Sequence, residues 1–254
     1  MCGCPRVTER PAVPADDPWR ALKRKTRPLV DGAIRRLCGP PLHRAWGVRT
    51  HGDGTLPRVV LTFDDSPVRS GTEQMLDALG GLGVSATFFC VGLNARRHPA
   101  LVRRIVGEGH ALGNHSLGHG RYDGLSPRDT THIMACQQIL TDLAGVRPLV
   151  YRSPYGRYTP WEVRRLRTLG LTAVSSNVDG ADWQRPARPA EHIARDVLGA
   201  VSPGAIVVLH DGYAGLDHHE ASETALALRL IVPALEARGY TFVTVPTLLG
   251  LPGE

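Results

Sequence analysis

Two adjacent aspartates, Asp64 and Asp65, follow an apolar run that begins at Val59, and Pro67 comes shortly after them. The run predicts a short buried strand over residues 59–63. Two carboxylates at the end of a buried strand repel each other unless a cation lies between them or one of them takes up a proton. The pair therefore suggests a metal ligand beside a general base, and a solvated turn is the alternative.

A pair of histidines, His115 and His119, lies four residues apart. One helical turn would place both imidazoles on the same side. Two neutral imidazoles and one carboxylate leave an open position for water on Zn²⁺, which is typical of catalytic zinc sites. Ser116 follows His115, so the glutamate of an HExxH zinc protease is missing. A structural or solvent-facing pair is the alternative.

Three further groups could complete an amide-hydrolysing site. Arg152 could pair with the catalytic base and hold it ionised, the alternative being a surface ion pair. His210 is the natural general acid for a leaving amine, and either Asp179 or Asp182 could orient it and raise its pKa. Backbone N–H groups around Tyr155 could bind an oxyanion. Trp183 and Leu209 are apolar, which favours a role as pocket walls.

All of these groups follow predicted strands. From residue 57 onward, seven short apolar segments alternate with helical patterns, at residues 59–63, 85–91, 110–113, 149–152, 171–178, 205–210 and 240–245. Repeated βα units predict parallel strands, whose carboxyl ends share one face of a barrel. We therefore expect a closed (β/α) barrel short of eight regular units. A doubly wound open sheet is the structural alternative.

The N-terminal region differs from the rest of the chain. Residues 1–50 carry 11 Lys or Arg and 4 Asp or Glu, whereas the other 204 residues carry 19 and 20. We expect residues 1–55 to form a basic, partly disordered extension and residues 56–254 to form the folded domain. The extension could contact an anionic surface, although most basic tails are simply solvated. The neutral body gives no support for nucleic-acid binding.

Together, the segments Leu61–Pro67, Gly113–His119, Arg152–Gly156, Asp179–Trp183 and Val207–Asp211 resemble the polysaccharide deacetylase (NodB homology) family, carbohydrate esterase family 4, over about residues 57–250. The resemblance implies an α/β fold, namely a deformed (β/α) barrel with about seven parallel strands. It also implies a divalent metal, usually Zn²⁺ with Co²⁺ as an alternative. The ligands would be Asp65, His115 and His119.

The resemblance assigns roles to the remaining groups. Asp64 would be the catalytic base and Arg152 would position it, while Asp182 would tune the acid His210. The Tyr155 backbone N–H would bind the oxyanion. The acetyl methyl group would lie in a pocket lined by Leu209 and Trp183, and Pro154 and Tyr155 would also contact the substrate.

Two positions depart from the family pattern. Ser66 stands where the family usually has Gly, and a residue before Pro favours extended backbone, so Ser fits if no positive φ is needed. Gly120 stands where the family usually has Pro, which should loosen the loop after His119.

We expect a monomeric enzyme that removes N-acetyl groups from N-acetylglucosamine units of a chitin-like or peptidoglycan-like glycan. The alternatives are a deacetylase of a small aminosugar metabolite, an O-acetyl esterase of xylan-like glycans and a non-catalytic glycan-binding module. The chain shows no export signal and no long apolar segment. A cytoplasmic location is therefore expected, although family members are usually secreted or associated with the cell wall.

Overall fold

The computed structural model describes residues 40–120, 123, 129–184, 188–215, 218–219 and 221–252, all within the unit Cys38–Glu254. The predictions for residues 1–39 lie outside the described residues. A helix, Pro40–Trp46, lies just before the predicted domain start, and Val48 after it packs in an apolar cluster with Tyr151 and Tyr158. The domain boundary at residue 55 stays a prediction.

A parallel sheet forms the centre of the fold, and it is built around the longest strand, β1 (Arg58–Ser66). The ladder order is β6-β5-β4-β3-β1-β8-β7, and β10 pairs with the first residues of β1. The remaining strands are β3 (Thr87–Cys90), β4 (Ala111–Asn114), β5 (Val150–Tyr151), β6 (Thr172–Ala173), β7 (Val178–Asp179), β8 (Ala205–His210) and β10 (Thr241–Phe242). The prediction of a deformed barrel of about seven parallel strands is confirmed, whereas the expected closure is wrong, because the described strands form an open ladder that ends at β6 and β7. A separate parallel pair joins β2 (Arg69–Ser70) to β9 (His218–His219).

Helices pack against the sheet, as the alternating pattern predicts, most of them on its outer face and Val245–Leu249 on the face of Val60. They are Pro40–Trp46, Gly71–Leu82, Gly92–Arg97, Pro99–Gly107, Thr131–Ala144, Pro160–Thr168, Ala190–Ala200, Ser222–Glu236 and Val245–Leu249. Thr159 caps the helix at Pro160 as predicted, because its side chain accepts a hydrogen bond from the Glu162 N–H at 3.2 Å. No helix among the described residues combines the length and the apolar character needed to cross a lipid bilayer.

Some element boundaries differ from the predictions. The adjacent glycines Gly80 and Gly81 predict the end of a helix, but the helix Gly71–Leu82 continues past them and stops at Gly83, where φ is 70°. The segment predicted as one strand over 171–178 contains two strands, β6 and β7, which form the two ends of the ladder order. The sequence Ser-Pro-Arg-Asp at 126–129 predicts a helix start, with a cap, a proline at the first position and an acidic third residue. The helix begins at Thr131, and residues 126–128 lie outside the described residues.

Side chains alternate between the two faces of β1 and β8, because strand residues point to opposite sides in turn. Val59, Leu61 and Phe63 are fully buried in the large apolar cluster that includes the outer helices. Val60 belongs to a different, smaller cluster on the opposite face of the sheet. Asp64 shares the face of Val60 and lies directly opposite His210 in the ladder between β1 and β8. The sheet therefore brings these two side chains together at its carboxyl end.

Candidate active site

The two aspartates lie at the end of β1 and are almost fully buried. Asp65 adopts a positive φ of 70°, and the Asn94 side-chain amide donates a hydrogen bond to its carbonyl oxygen at 2.9 Å. Ser66 does not have a positive φ, so a side chain at this position is compatible with the backbone. The two neighbouring carboxylates therefore belong to one site.

The two histidines meet without a helical turn. His115 and His119 lie in a loop after β4 in which Ser116 has a φ of 65° and His119 a φ of 53°. The Ser116 hydroxyl accepts the His119 N–H at 3.0 Å, and the two imidazole centroids are 4.9 Å apart. The predicted pairing of the imidazoles is therefore present, whereas the helical geometry that was expected to produce it is wrong.

Asp65, His115 and His119 fit a divalent cation. One ligand atom from each lies within 4.8 Å of the other two, and the Asp65 Oδ1 atom is 3.2 Å from His119 Nε2 and 3.7 Å from His115 Nε2. The His115 Nδ1–H donates to the Arg152 carbonyl oxygen at 2.8 Å, so its Nε2 offers a lone pair. Asp65 Oδ1 is buried with no hydrogen-bond partner among the described residues. A cation bound by these atoms would satisfy the unpaired oxygen.

Burial shifts the pKa values of all three side chains toward their neutral forms. The pKa of Asp65 is raised, chiefly by burial, and burial also lowers the pKa of His115 and His119. Neutral imidazoles are the form that binds metals. The carboxylates of Asp64 and Asp123 oppose the effect of burial at His119.

Asp64 has a different environment from Asp65. Burial by itself would raise the pKa of Asp64, but the Arg152 guanidinium, together with His115 and His210, holds it below its usual value of 3.8. Arg152 Nη1 donates to Asp64 Oδ1 at 2.6 Å and to the Thr62 hydroxyl at 2.7 Å. The guanidinium also lies 4.1 Å from the Phe89 ring centroid. Asp64 is therefore held as an oriented carboxylate beside the cluster of Asp65 and the two histidines.

His210, the ladder partner of Asp64, pairs with Asp182. Asp182 Oδ1 is 2.9 Å from His210 Nδ1, and Asp182 Oδ2 accepts the His210 backbone N–H at 2.7 Å. The Thr224 hydroxyl also donates to Asp182 at 3.0 Å. Burial opposes the charged imidazolium, but the Asp182 carboxylate outweighs it and raises the pKa of His210 to about 10. The other candidate partner, Asp179, instead accepts the Ala181 N–H at 2.7 Å.

The turn at Pro154–Gly156 lies beside the histidines. Tyr155 has a φ of 60°, and its ring centroid is 4.6 Å from that of His119. Pro154 is buried in this turn, whereas the side chains of Tyr155 and Trp183 are about half exposed. Half-exposed aromatic side chains can contact a sugar ring, since one face of each ring is accessible.

Leu209 is not on the same face of β8 as His210. It is fully buried in the cluster between sheet and helices, and it packs so close to Gly180 that a Cβ there would lie 2.4 Å from Leu209 Cδ2. The expectation that Leu209 lines the pocket assigned the wrong face, because adjacent strand residues point in opposite directions. Val208, two residues before His210, is on the same face of β8 as His210.

Sequence reasoning also missed two supporting hydroxyls, those of Thr62 and Thr224. Thr62 accepts from Arg152 and donates to the Val207 carbonyl oxygen at 2.6 Å. The alternation that places Asp64 on the inner face of β1 applies equally to Thr62, so this signal was present in the sequence. Thr224 comes from a distant helix, and nothing local in the sequence connects it to Asp182.

The fold and the site together define a parallel α/β barrel whose carboxyl-end loops carry a candidate metal centre beside an oriented carboxylate and an oriented histidine. Comparisons with known proteins identify the family. Residues 51–174 match the family model described as polysaccharide deacetylase. The chain is 36% identical over 209 residues to the chitooligosaccharide deacetylase of Bradyrhizobium sp. (strain ANU 289), covering 79% of this chain and 94% of that protein.

Solved structures give the same result. The Bc1960 peptidoglycan N-acetylglucosamine deacetylase superposes with a TM-score of 0.75 and 31% identity, over 84% of this chain and 97% of that one. A family 4 acetyl xylan esterase from Clostridium thermocellum, solved with a cobalt ion, superposes with a TM-score of 0.67 and 32% identity, over 76% of this chain and 92% of that one. The chain belongs to the polysaccharide deacetylase family.

Proposed function

We propose that this protein is a metal-dependent hydrolase that removes N-acetyl groups from N-acetylglucosamine units of a glycan and releases acetate. The observation that carries the proposal is the arrangement around Asp65, His115 and His119. Asp64, paired with Arg152, and His210, paired with Asp182, both lie beside this set. An oriented base and an oriented acid beside a cation site suit amide hydrolysis.

The metal would be held by Asp65 Oδ1 and the Nε2 atoms of the two histidines. We expect Zn²⁺, because two imidazoles and one carboxylate form a common catalytic zinc ligand set, and Co²⁺ is the alternative. When bound, such a cation acts as a Lewis acid that polarises a carbonyl and makes water more acidic. The other roles belong to the protein.

Asp64 is the proposed general base. Its carboxylate accepts the proton of the water that attacks the acetyl carbonyl carbon. Its low pKa keeps it ionised over the whole neutral range, since Arg152 offsets the penalty of burial. Arg152 and Thr62 fix the direction of the carboxylate, so the accepting oxygen is already oriented before the substrate binds.

The Tyr155 backbone N–H, in a turn where this residue has a φ of 60°, is the proposed hydrogen-bond donor to the tetrahedral oxyanion. His210 then donates its Nε2 proton to the glucosamine nitrogen as the C–N bond breaks, because Nδ1 is engaged by Asp182. The products are acetate and a free amine. Trp183 and the exposed ring of Tyr155 are the proposed walls for the sugar.

Amide hydrolysis is favoured over ester hydrolysis by the charge on His210. An amine is a poor leaving group unless it is protonated, and a histidine with a pKa of about 10 carries that proton at neutral pH. An O-acetyl esterase is the second candidate, supported by the similarity to the acetyl xylan esterase. A deacetylase of a small aminosugar remains a third hypothesis.

Acetate release tests these proposals. The wild-type protein is incubated with N-acetylated chitooligosaccharides, with O-acetylated xylan and with monomeric N-acetylglucosamine, before and after chelation. We expect acetate from the chitooligosaccharide, its loss after chelation and its recovery when Zn²⁺ is added. Release from xylan alone would favour the esterase, release from the monomer alone would favour the metabolite deacetylase, and binding without any release would favour a glycan-binding module.

A further inference from the structure

The turn that carries the Tyr155 amide is held by a buried network that no role proposed above includes. Tyr158 is fully buried behind this turn, and its hydroxyl accepts the Ser153 N–H at 3.0 Å while it donates to the Val174 carbonyl oxygen at 2.7 Å. Tyr158 thereby links the turn to the residue that follows β6. The Tyr158 hydroxyl therefore fixes the backbone at Ser153, two residues before Tyr155.

Ser153 closes the turn from the other side. Its hydroxyl donates to the Arg157 carbonyl oxygen at 2.5 Å, and its own carbonyl oxygen accepts the Gly156 N–H at 3.0 Å. These two hydrogen bonds join residues on either side of the Tyr155 backbone amide. Since Tyr155 has a φ of 60°, which non-glycine residues rarely adopt, the surrounding bonds must hold this conformation.

Glu162 supports this turn from the helix Pro160–Thr168. It is 3% exposed, and its Oε1 atom accepts the Tyr151 hydroxyl at 3.1 Å and lies 3.5 Å from the Ser153 hydroxyl. Its Oε2 atom is buried without a partner among the described residues. Burial raises the pKa of Glu162 to about 8. The titratable groups coupled to it among the described residues are Tyr151, Tyr158 and Asp123, and none of these side chains is a cation that would offset the burial.

We propose that Tyr158 and Glu162 are positioning residues that hold the oxyanion-binding N–H of Tyr155 in place through Ser153. Neither side chain touches the substrate. Glu162 is a neutral acid at neutral pH, because the cost of burying its charge outweighs the hydrogen bonds from Tyr151, Thr159 and Ser153 that would favour a carboxylate. Ionisation would draw the Ser153 hydroxyl away from the Arg157 carbonyl oxygen and so loosen the turn. This inference rests on the proposed hydrolase function.

The substitution Tyr158→Phe removes only the hydroxyl. We expect kcat for acetate release from N-acetylated chitooligosaccharide to fall about tenfold to hundredfold, because a displaced donor binds the oxyanion poorly. KM and zinc content should match the wild type. The control Ile231→Val removes one buried methyl from the helix Ser222–Glu236, which lowers the unfolding midpoint without changing kcat.

Equal kcat in Y158F and wild type, or an equal loss of kcat in I231V, overturns the positioning role. If Y158F does not fold, Ser153→Ala tests the same turn by removing the hydroxyl bond to the Arg157 carbonyl oxygen: the same loss of kcat supports positioning through Ser153, and wild-type kcat overturns it. A wild type that releases no acetate from any N-acetylated glycan is a failure of the proposed function, and the positioning role then falls with it.

Glu162→Gln gives a pH-dependent readout that a purely structural role would not give. At about pH 7 the neutral amide should preserve kcat. The folded state keeps the Glu162 proton up to about pH 8, whereas the unfolded state loses it near 4.5. The wild type should therefore lose stability relative to E162Q as the pH rises from about 4.5 to 8, and the difference should then level off.

The difference in kcat between wild type and E162Q should appear in a different pH range from the difference in stability. Above about pH 8, wild-type kcat should decline relative to E162Q as Glu162 ionises in the folded protein. Glu162→Ala, which leaves a cavity and no hydrogen-bonding group, should lose kcat at every pH. Parallel pH profiles of kcat in wild type and E162Q overturn the assignment of Glu162 as a neutral positioning acid.

Discussion

Replacing Asp182 with Asn should remove the charge that keeps His210 protonated. Asp182 contacts both the imidazole Nδ1 and the backbone N–H of His210, and its side chain is almost fully buried. Asn has nearly the same shape but no charge. In D182N the remaining influences on the pKa of His210 oppose each other, because burial lowers it and the carboxylates of Asp64 and Asp65 raise it. The pKa should therefore fall from about 10 to near 6.5.

This change has a calculable consequence. The difference between 6.5 and about 10 corresponds to about 5 kcal/mol in favour of the imidazolium, at ~1.4 kcal/mol for each pH unit. At pH 9 the imidazolium fraction should therefore drop about 300-fold in D182N, whereas at pH 6 it should drop less than about twofold. The stabilisation from the ion pair is fully present below pH 6.5 and is lost as the pH rises through about 10.

The assay is kcat for acetate release between about pH 5 and pH 10, at saturating substrate and equal metal content. A cation nearby repels the imidazolium and lowers its pKa in both proteins, so equal loading preserves the comparison. Asp179→Asn is the matched control, because Asp179 contacts only the Ala181 N–H in this loop. If kcat declines at the same high pH in D182N as in the wild type, or if D179N shifts this decline equally, the assignment of Asp182 as the partner of His210 is refuted.

Two other substitutions test the neighbouring groups. His119→Ala should weaken Zn²⁺ binding by at least about a hundredfold in calorimetry, since one of three ligands is lost, while the exposed His192→Ala should bind as the wild type does. Arg152→Ala leaves Asp64 buried without its cation, which should cost about 3–5 kcal/mol in urea unfolding. It should also raise the pKa of Asp64 and move the acid limb of kcat to higher pH, and an unmoved limb would contradict the pairing.

The sequence predicted the barrel because each polar cluster follows an apolar segment of strand length. Val59 and the residues after it show this most clearly, since their burial and their ladder with β8 follow directly from the apolar run. The convergence of Asp65 with His115 and His119 followed from one topological rule, that parallel strands end at a common face.

The details that failed depend on backbone geometry inside loops. His115 and His119 meet through residues with positive φ, which the sequence does not reveal for non-glycine residues. The choice between Asp179 and Asp182 depends on a turn with φ of 54° at Ala181. Leu209 was assigned to the pocket although its position one residue before His210 puts it on the other face. Strand alternation could have prevented that error, whereas the two loop geometries required a structure.

Other expectations from the sequence stay predictions. These are the monomeric state, the contact of the basic extension with an anionic surface and the cellular location. One hydrogen bond bears on the prediction that Gly120 loosens the loop after His119. The Gly120 N–H donates to Asp123 Oδ2 at 2.9 Å, a bond that a proline at this position could not make.

The most direct test of the central claim compares turnover and metal content in Asp64→Asn. Asp64 is proposed as the base and not as a ligand, so D64N should bind Zn²⁺ with wild-type stoichiometry and release acetate from N-acetylated chitooligosaccharide at least about a thousandfold more slowly. The control Asp142→Asn, which removes an exposed carboxylate on the helix Thr131–Ala144, should match the wild type in both. Loss of zinc from D64N, or wild-type acetate release with zinc retained, would contradict the account.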